Sequence, residues 1–180
     1  MPDLSEQAIA LVQQGDLEGA RALFQFVLDQ RMAVYGPDDP AIATDLANLG
    51  NVLAEQRDLT AARPLLERTV ALREQQYGPD HPDVAVDLGN LALVLEALGQ
   101  LCQARQAYER SLSVQMAAFG DDHPTVGIAL ANLASLLRRQ GELERARTAF
   151  EQAEHILSKH LAPDHPALRS TAAALRASQY

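Results

Sequence analysis

The chain has very little of several residue types that particular classes of protein need. It contains one cysteine and therefore no internal disulfide, which favours a reducing compartment. Aromatic residues make up only 4% of the chain and tryptophan is absent, so no set of rings is available to stack on single-stranded nucleic acid. No segment reaches the roughly 18 apolar residues that a membrane-spanning helix requires. These shortages argue against a disulfide scaffold, a single-strand binder and a membrane span.

Positive charge is also scarce. The chain has 15 lysines and arginines against 24 aspartates and glutamates, for a formal net charge of −9, and its one lysine is Lys159. Such a surface repels nucleic-acid phosphates and anionic lipids. The first residues carry Asp3 and Glu6 where a signal peptide needs basic residues. We therefore expect a cytoplasmic protein that binds neither nucleic acid nor membrane.

Sequence motifs for catalysis are missing as well. The chain has no glycine-rich phosphate loop, no nucleophile elbow and no HExxH motif, so we expect no enzyme activity and no cofactor. Three Asp-His-Pro triplets, with histidines at 81, 123 and 165, suggest a metal site at first sight. A whole helical hairpin separates successive triplets, too far for ligands that must approach zinc to about 2 Å. We instead expect each histidine to cap a helix whose first residue is the following proline.

An internal repeat organises almost the whole sequence. Aligned without gaps, the segments that begin at Tyr35, Tyr77 and Phe119 show a repeat of 42 residues, and a fourth begins at Leu161 and stops halfway. The first 34 residues match the back part of this repeat. A period of this length is typical of a solenoid. We expect a single domain over 1–180, made of a partial repeat 1–34, repeats 35–76, 77–118 and 119–160, and a capping helix within 161–180.

Each repeat predicts two helices. Apolar residues recur at helical spacing, as with Ile42, Leu46, Leu49 and Leu53, and a second helix follows after a turn. We expect nine helices, near 3–14, 17–34, 40–56, 59–76, 82–98, 101–118, 124–140, 143–160 and 166–179. Glycine occupies the turn between the helices of two repeats, but Arg57 replaces it in the first full repeat, where we expect a strained or differently shaped turn.

The repeated skeleton resembles a known family. The pattern N-L-x-x-x-L-x-x-x-G-x-x-x-x-A-x-x-x-[YF], with G-P-D-H-P before a first helix, is similar to tetratricopeptide repeats of the 42-residue kinesin-light-chain type. This resemblance implies an all-α, right-handed α-solenoid of stacked helix-turn-helix hairpins. It also implies a function in binding protein partners, with the first helices lining a concave wall.

The predicted binding surface lies on the first helices, opposite their core stripe. Asparagine recurs there at positions 48, 90 and 132, and an amide can pair with the backbone of a peptide. The resembled repeats hold peptides at this position. The alternative is that these amides satisfy backbone groups at helix ends or bridge neighbouring helices. The candidate peptide-binding residues are Asn48, Asn51, Asn90, Leu93, Asn132, Ser135, Arg138 and Arg139.

The residues alone leave the class of ligand and the assembly open. Arg138 and Arg139 are opposed by Glu55 and Glu96, and the lysines of carboxylate-clamp repeats are absent. Besides a peptide-binding scaffold, the repeats fit a module that self-associates into a homo-oligomer, or the sensor part of a larger signalling protein. Cys102 lies early in a second helix with no lysine or histidine close in sequence, and we expect a half-buried, inert thiol.

Overall fold

The computed structural model describes residues 4–177, and these residues form nine α-helices, one short 3-10 helix and no strand. The helices are α1 (Leu4–Gln14), α2 (Leu17–Tyr35), α3 (Ala43–Glu55), α4 (Leu59–Tyr77), α5 (Pro82–Ala97), α6 (Leu101–Phe119), α7 (Pro124–Arg139), α8 (Leu143–His160) and α9 (Pro166–Ala177). The 3-10 helix Pro40–Ile42 precedes α3. The nine predicted helices are therefore confirmed within residues 4–177, with one difference, the 3-10 turn at the start of the third.

The chain divides into two compact units, residues 1–98 and 99–180. In the described part of the first unit, each of α1 to α5 packs against the next along the sequence, and α3 also contacts α5. In the described part of the second, α6 to α9 pack in sequence and α7 also contacts α9. That the repeats form one domain stays a prediction.

The core of each unit comes from the apolar stripes that the repeat predicts. In the first unit Leu46 and Leu53 of α3 are 1% and 4% exposed, and Leu66 of α4 is fully buried. Gly50 lets these two helices approach closely, since a Cβ at this position would lie 2.9 Å from Leu66 Cδ2. Small residues on the first helix and large ones on the second therefore fix how the hairpin closes.

The turn between α3 and α4 contains the one backbone strain visible in residues 4–177. Arg57 has φ of +66°, close to the +82°, +78° and +82° of Gly15, Gly99 and Gly141 at the same place in other hairpins. Of the two alternatives expected for this turn, the structure shows the strained one, because the turn keeps the shape of the others and arginine is forced into it. A left-handed conformation costs a residue with a Cβ about 1–2 kcal/mol.

Substitution Arg57→Gly is expected to raise the free energy of unfolding by about 1 kcal/mol, because glycine removes this strain at the cost of some unfolded-state entropy. Urea denaturation measures the change. Gly141→Ala is the matched reverse variant: a Cβ there would meet nothing within 4 Å, so its expected loss of stability reports backbone conformation alone. A destabilised Arg57→Gly protein would show that the arginine side chain stabilises the fold by more than its strained backbone costs.

Candidate functional site

A groove in the first unit brings together three of the sequence-predicted binding residues. It lies between α3 and α5 and has a volume of about 450 Å³. Asn51 contributes from α3, and Asn90 and Leu93 contribute from α5. The remaining lining residues are Ala54, Glu55, Arg57, Leu59, Val94 and Ala97. Asn48 lies one turn from Asn51 on α3 but does not line this groove.

Local sequence explains why these side chains face outward. The inner face of α5 buries Val84, Leu88 and Leu95 in the core. Val86 and Leu93 fall on the opposite face and remain 55% and 49% exposed, which is unusual for large aliphatic side chains. An exposed apolar side chain beside a few polar groups in a groove is a usual anchor point for a peptide side chain.

The asparagine amides have no hydrogen-bond partners within the described residues. Asn48, Asn51 and Asn90 are each half-buried, and no side-chain hydrogen bond to any of them occurs in residues 4–98. They do not satisfy helix-end backbone groups and do not bridge α3 to α5, which was the alternative interpretation. An amide side chain offers two donors and one acceptor with two lone pairs, so the groove presents this capacity to a ligand.

Charge in the groove is mixed. Glu55 and Arg57 lie together at the end of the groove where α3 stops and α4 begins. Arg57 as a groove residue was missed by sequence reasoning, which treated it only as a turn residue. Its position after the last residue of a first helix was the available signal, since that end of the helix borders the predicted surface. A ligand therefore meets one acid and one base beside the apolar anchor.

Arg73 of α4 hydrogen bonds to both helices that form the groove, α3 and α5. Its Nε donates to Asp87 Oδ2 of α5 at 2.7 Å, and its Nη2 donates to Thr44 Oγ1 of α3 at 3.3 Å. Asp87 is 4% exposed. Burial raises the pKa of the Asp87 carboxyl, and although the charge of Arg73 and its hydrogen bond act in the opposite direction, the net shift is upward.

The second unit carries the other predicted residues on α7. Ile128 is 40% exposed, Asn132 is half-buried, and Arg138 and Arg139 are exposed in the last turn. The hydroxyl of Ser135 donates to the Ala131 carbonyl at 3.0 Å, so its proton is already used within α7. The amide of Asn132 has no side-chain hydrogen bond within residues 99–177.

The histidines of the Asp-His-Pro triplets cap helices, as expected. The Nδ1 atoms of His81, His123 and His165 accept from the backbone N–H two residues later, at 3.2, 3.3 and 3.2 Å. The first two rings also stack on an aromatic residue four positions earlier, with centroid distances of 4.5 Å to Tyr77 and 4.7 Å to Phe119. These contacts account for the recurring histidines without a metal.

Cys102 differs from expectation. Its side chain is exposed, not half-buried. The reason is that it is the second residue of α6 and faces away from the stripe that begins with Ala104, which is fully buried.

None of the helices in residues 4–177 is both long enough and apolar enough to cross a membrane.

Comparison with known families and structures identifies the repeat. The profile described as "Tetratricopeptide repeat" matches residues 4–75, 45–115 and 88–159. A search of curated protein sequences found no significant match.

Three solved structures show the same fold at low sequence identity. A crystal structure of a substituted form of a Podosopora anserina putative kinesin light chain, with nearly identical TPR-like repeats, is 22% identical, with a TM-score of 0.82 over 97% of this chain and 82% of that one. A second structure of that protein is 22% identical, with a TM-score of 0.80 over 99% and 87%. BtubC (BKLC) from P. vanneervenii is 20% identical, with a TM-score of 0.83 over 97% and 70%. These likenesses confirm the predicted all-α repeat fold.

Proposed function

This chain belongs to the tetratricopeptide repeat family, and from that premise we propose that it is a non-catalytic scaffold that holds a peptide segment of a partner protein in the groove between α3 and α5. Repeats of this family generally mediate protein–protein interaction. The observation that carries the proposal is the pair of unpartnered amides, Asn51 and Asn90, facing one groove beside the exposed Leu93.

An extended peptide fits this arrangement better than a folded surface. Two amides on opposite walls can each hydrogen bond a backbone carbonyl and a backbone N–H, whatever the side chains of the peptide are. Leu93, together with Val86 further along α5, offers apolar contact to one or two anchor side chains. Selectivity would come from the anchor side chains of the peptide and from the charges of Glu55 and Arg57 at the groove end, because backbone contacts alone do not distinguish peptide sequences.

The face of α7 is proposed to serve the same purpose within the second unit. Asn132 occupies the position in its repeat that Asn90 occupies in the preceding one, and Ile128 provides an exposed apolar neighbour. Arg138 and Arg139 add two exposed cations at the end of this helix. Ser135 contributes only as an acceptor, since its proton is donated to Ala131.

A cytoplasmic location belongs to the same proposal. A free, exposed thiol at Cys102 suits a reducing compartment, where it is not driven to oxidise. The strongly acidic surface keeps such a scaffold away from nucleic acids and anionic lipids.

The proposal is tested by selecting peptides against the full chain from a random display library and measuring the affinity of the best binders by titration calorimetry. The triple variant Asn51→Ala, Asn90→Ala, Leu93→Ala is expected to weaken them tenfold or more. Two lost hydrogen bonds contribute about 1 kcal/mol each, the lost apolar contact adds to this, and about 1.4 kcal/mol is a factor of ten.

The matched control is Val34→Ala, which truncates an aliphatic side chain on α2 that is 74% exposed and outside the groove. Its affinity for the selected peptides is expected to equal that of the unmodified protein. Equal affinity of the triple variant, with unchanged circular dichroism, would show that this groove is not the binding site.

A further inference from the structure

Three equivalent side chains form a row across the first helices of the first unit. By the 42-residue repeat, Ile9 of α1 corresponds to Asn51 of α3 and to Leu93 of α5. Burial agrees with this alignment, because the residue before each of them is small and Ala8 and Ala92 are both fully buried. The three side chains therefore occupy the same place on their helices, on the face away from the core stripe.

This row is apolar at its two ends and polar in the middle. Ile9 is 45% exposed and Leu93 is 49% exposed, whereas α3 exposes no large apolar side chain. Asn51 is half-buried and forms no side-chain hydrogen bond within residues 4–98. The row therefore offers contacts for two apolar side chains of a ligand, with a free amide between them.

The free amide of Asn51 favours an extended ligand over a helical one. An extended peptide has backbone N–H and C=O groups that need partners, and an amide can both donate to them and accept from them. Backbone groups in the interior of an α-helix are already paired with one another. A helix laid across the row would therefore leave the half-buried amide without a backbone partner.

Helix packing sets the distance between the two apolar contacts. In the first unit α2 packs against both α1 and α3, and α4 packs against both α3 and α5, so the two steps from α1 to α5 are equivalent. Packed helices lie about 8–10 Å apart, which places α5 about 16–20 Å from α1. An extended chain advances about 3.3 Å per residue and points alternate side chains to opposite sides, so two side chains about six residues apart meet both ends of the row.

The end of the row at α1 is acidic. Glu6 lies three residues before Ile9, on the same face of the helix, and it is exposed and has no ion-pair partner within residues 4–98. It is the one charged residue of α1, and the first 20 residues of the chain include no lysine or arginine. A basic side chain of the ligand beside Ile9 would therefore meet a carboxylate and no cation of this helix.

We propose that α1, α3 and α5 together bind an extended, basic segment of a partner protein with two apolar residues about six positions apart. One apolar residue contacts Ile9 and has a lysine or arginine within two positions, which pairs with Glu6. The other contacts Leu93, and Asn51 holds the backbone between them. This inference rests on the proposed function of the groove between α3 and α5, which it extends to α1 and for which it names the class of peptide.

Peptides selected from the random display library against the full chain provide the probes. We expect pairs of apolar residues about six positions apart, with lysine or arginine beside one of them, to be enriched among the binders. Ile9→Ala and Leu93→Ala are each expected to weaken the best binders about fivefold or more by titration calorimetry. Both side chains are exposed and alanine favours helix, so both variants should stay folded. Val34→Ala on α2 is the control and should leave the affinity unchanged.

Double-mutant cycles show which side chains meet. Replacing the apolar peptide residue beside the basic one with alanine should remove the effect of Ile9→Ala and keep that of Leu93→Ala. Replacing the other apolar residue should do the reverse. Glu6→Gln is expected to weaken binding about twofold to fivefold at low salt, and to have no effect on a peptide whose basic residue is changed to alanine.

The outcomes distinguish this proposal from the proposed function. If binders lose affinity in the triple variant Asn51→Ala, Asn90→Ala, Leu93→Ala but not in Ile9→Ala, the groove remains the binding site and the extension to α1 is wrong. Apolar pairs about 11–13 residues apart that depend on both Ile9 and Leu93 would show a helical ligand instead. Enrichment of acidic peptides, or affinity unaffected by Glu6→Gln, would overturn the basic class. If the triple variant weakens no binder, the proposed function fails and this proposal fails with it.

Discussion

Replacing Phe150 with alanine is expected to lower the free energy of unfolding by about 3–5 kcal/mol and to loosen α9 more than any other helix of the second unit. Phe150 of α8 is 1% exposed and packs in one cluster with Ala134 of α7 and Leu175 of α9. The buried residues of α9 are only Thr171 and Leu175. The cavity therefore removes much of what fixes this helix.

Urea denaturation measures the stability loss, and hydrogen exchange followed by mass spectrometry locates it. Protection in α9 is expected to fall before protection in α7, because α9 has the fewest buried side chains of the second unit. Phe26→Ala is the matched control, since Phe26 of α2 is 50% exposed and should cost below about 1 kcal/mol. Uniform loss of protection across α6 to α9 would show that the unit unfolds only as a whole.

Helix positions were predictable from sequence because the residues that mark each helix boundary recur in several copies of the repeat. The predicted span 143–160 matches α8, and 17–34 differs from α2 by one residue. The prediction of one helix over 40–56 was wrong at its start, where Pro40–Ile42 is a 3-10 helix. The difference lies in the next hydrogen bond of the turn: Ala43 N donates to the Pro40 carbonyl, three residues back, whereas the equivalent Ala85 N and Gly127 N donate to the carbonyls of His81 and His123, four residues back.

The candidate site was predictable only as a helix face. Periodicity places Asn48, Asn51 and Asn90 on the side away from the core, but which of them meet depends on how far α5 is shifted along α3. Side-chain packing of the two hairpins sets that shift, and it pairs Asn51 with Asn90 in one groove. The positive charge at the groove end comes from Arg57, which lies in the turn after α3. The other hairpins have glycine at this position, so the periodic pattern does not predict this charge.

The contact that holds the groove walls was also visible in the sequence, though only in retrospect. Arg73 and Asp87 are 14 residues apart, and Arg31 and Asp45 repeat this spacing 42 residues earlier, with 3.4 Å between Arg31 Nε and Asp45 Oδ2. The positions 42 residues after Arg73 and Asp87 hold Gln115 and Ala129. A recurring arginine and aspartate on two different helices, in register with the repeat, is the signal of an ion pair between hairpins.

Substitution Arg73→Met is expected to cost about 3 kcal/mol at pH 7, because it leaves the Asp87 carboxylate buried and unpaired. Arg31→Met is the parallel variant. Asp45, at 2% exposed, is as buried as Asp87, so a loss of the same order is expected, reduced only as far as the longer contact of the more exposed Arg31 is weaker. Urea denaturation of both variants at pH 7 makes the comparison.

The loss in Arg73→Met should shrink as the pH falls. Burial already raises the pKa of Asp87 above its ordinary value of 3.8, and the influences that oppose this rise come from Arg73. A carboxyl whose pKa is raised in the folded state favours folding below its unfolded pKa, and this contribution is lost as the pH rises through the folded value. Removing Arg73 raises the pKa of Asp87 further, so the deficit should be largest near neutral pH and smallest near pH 4.

The double variant Arg73→Met, Asp87→Leu decides what the pair does. If the ion pair mainly positions the helices, an apolar pair of similar size should restore stability to within about 1 kcal/mol, because it removes the buried charge. Peptide binding should not recover with it, since Arg73 is also the link from Asp87 of α5 to Thr44 of α3. Recovery of both stability and affinity would show that packing alone sets the spacing of the groove walls.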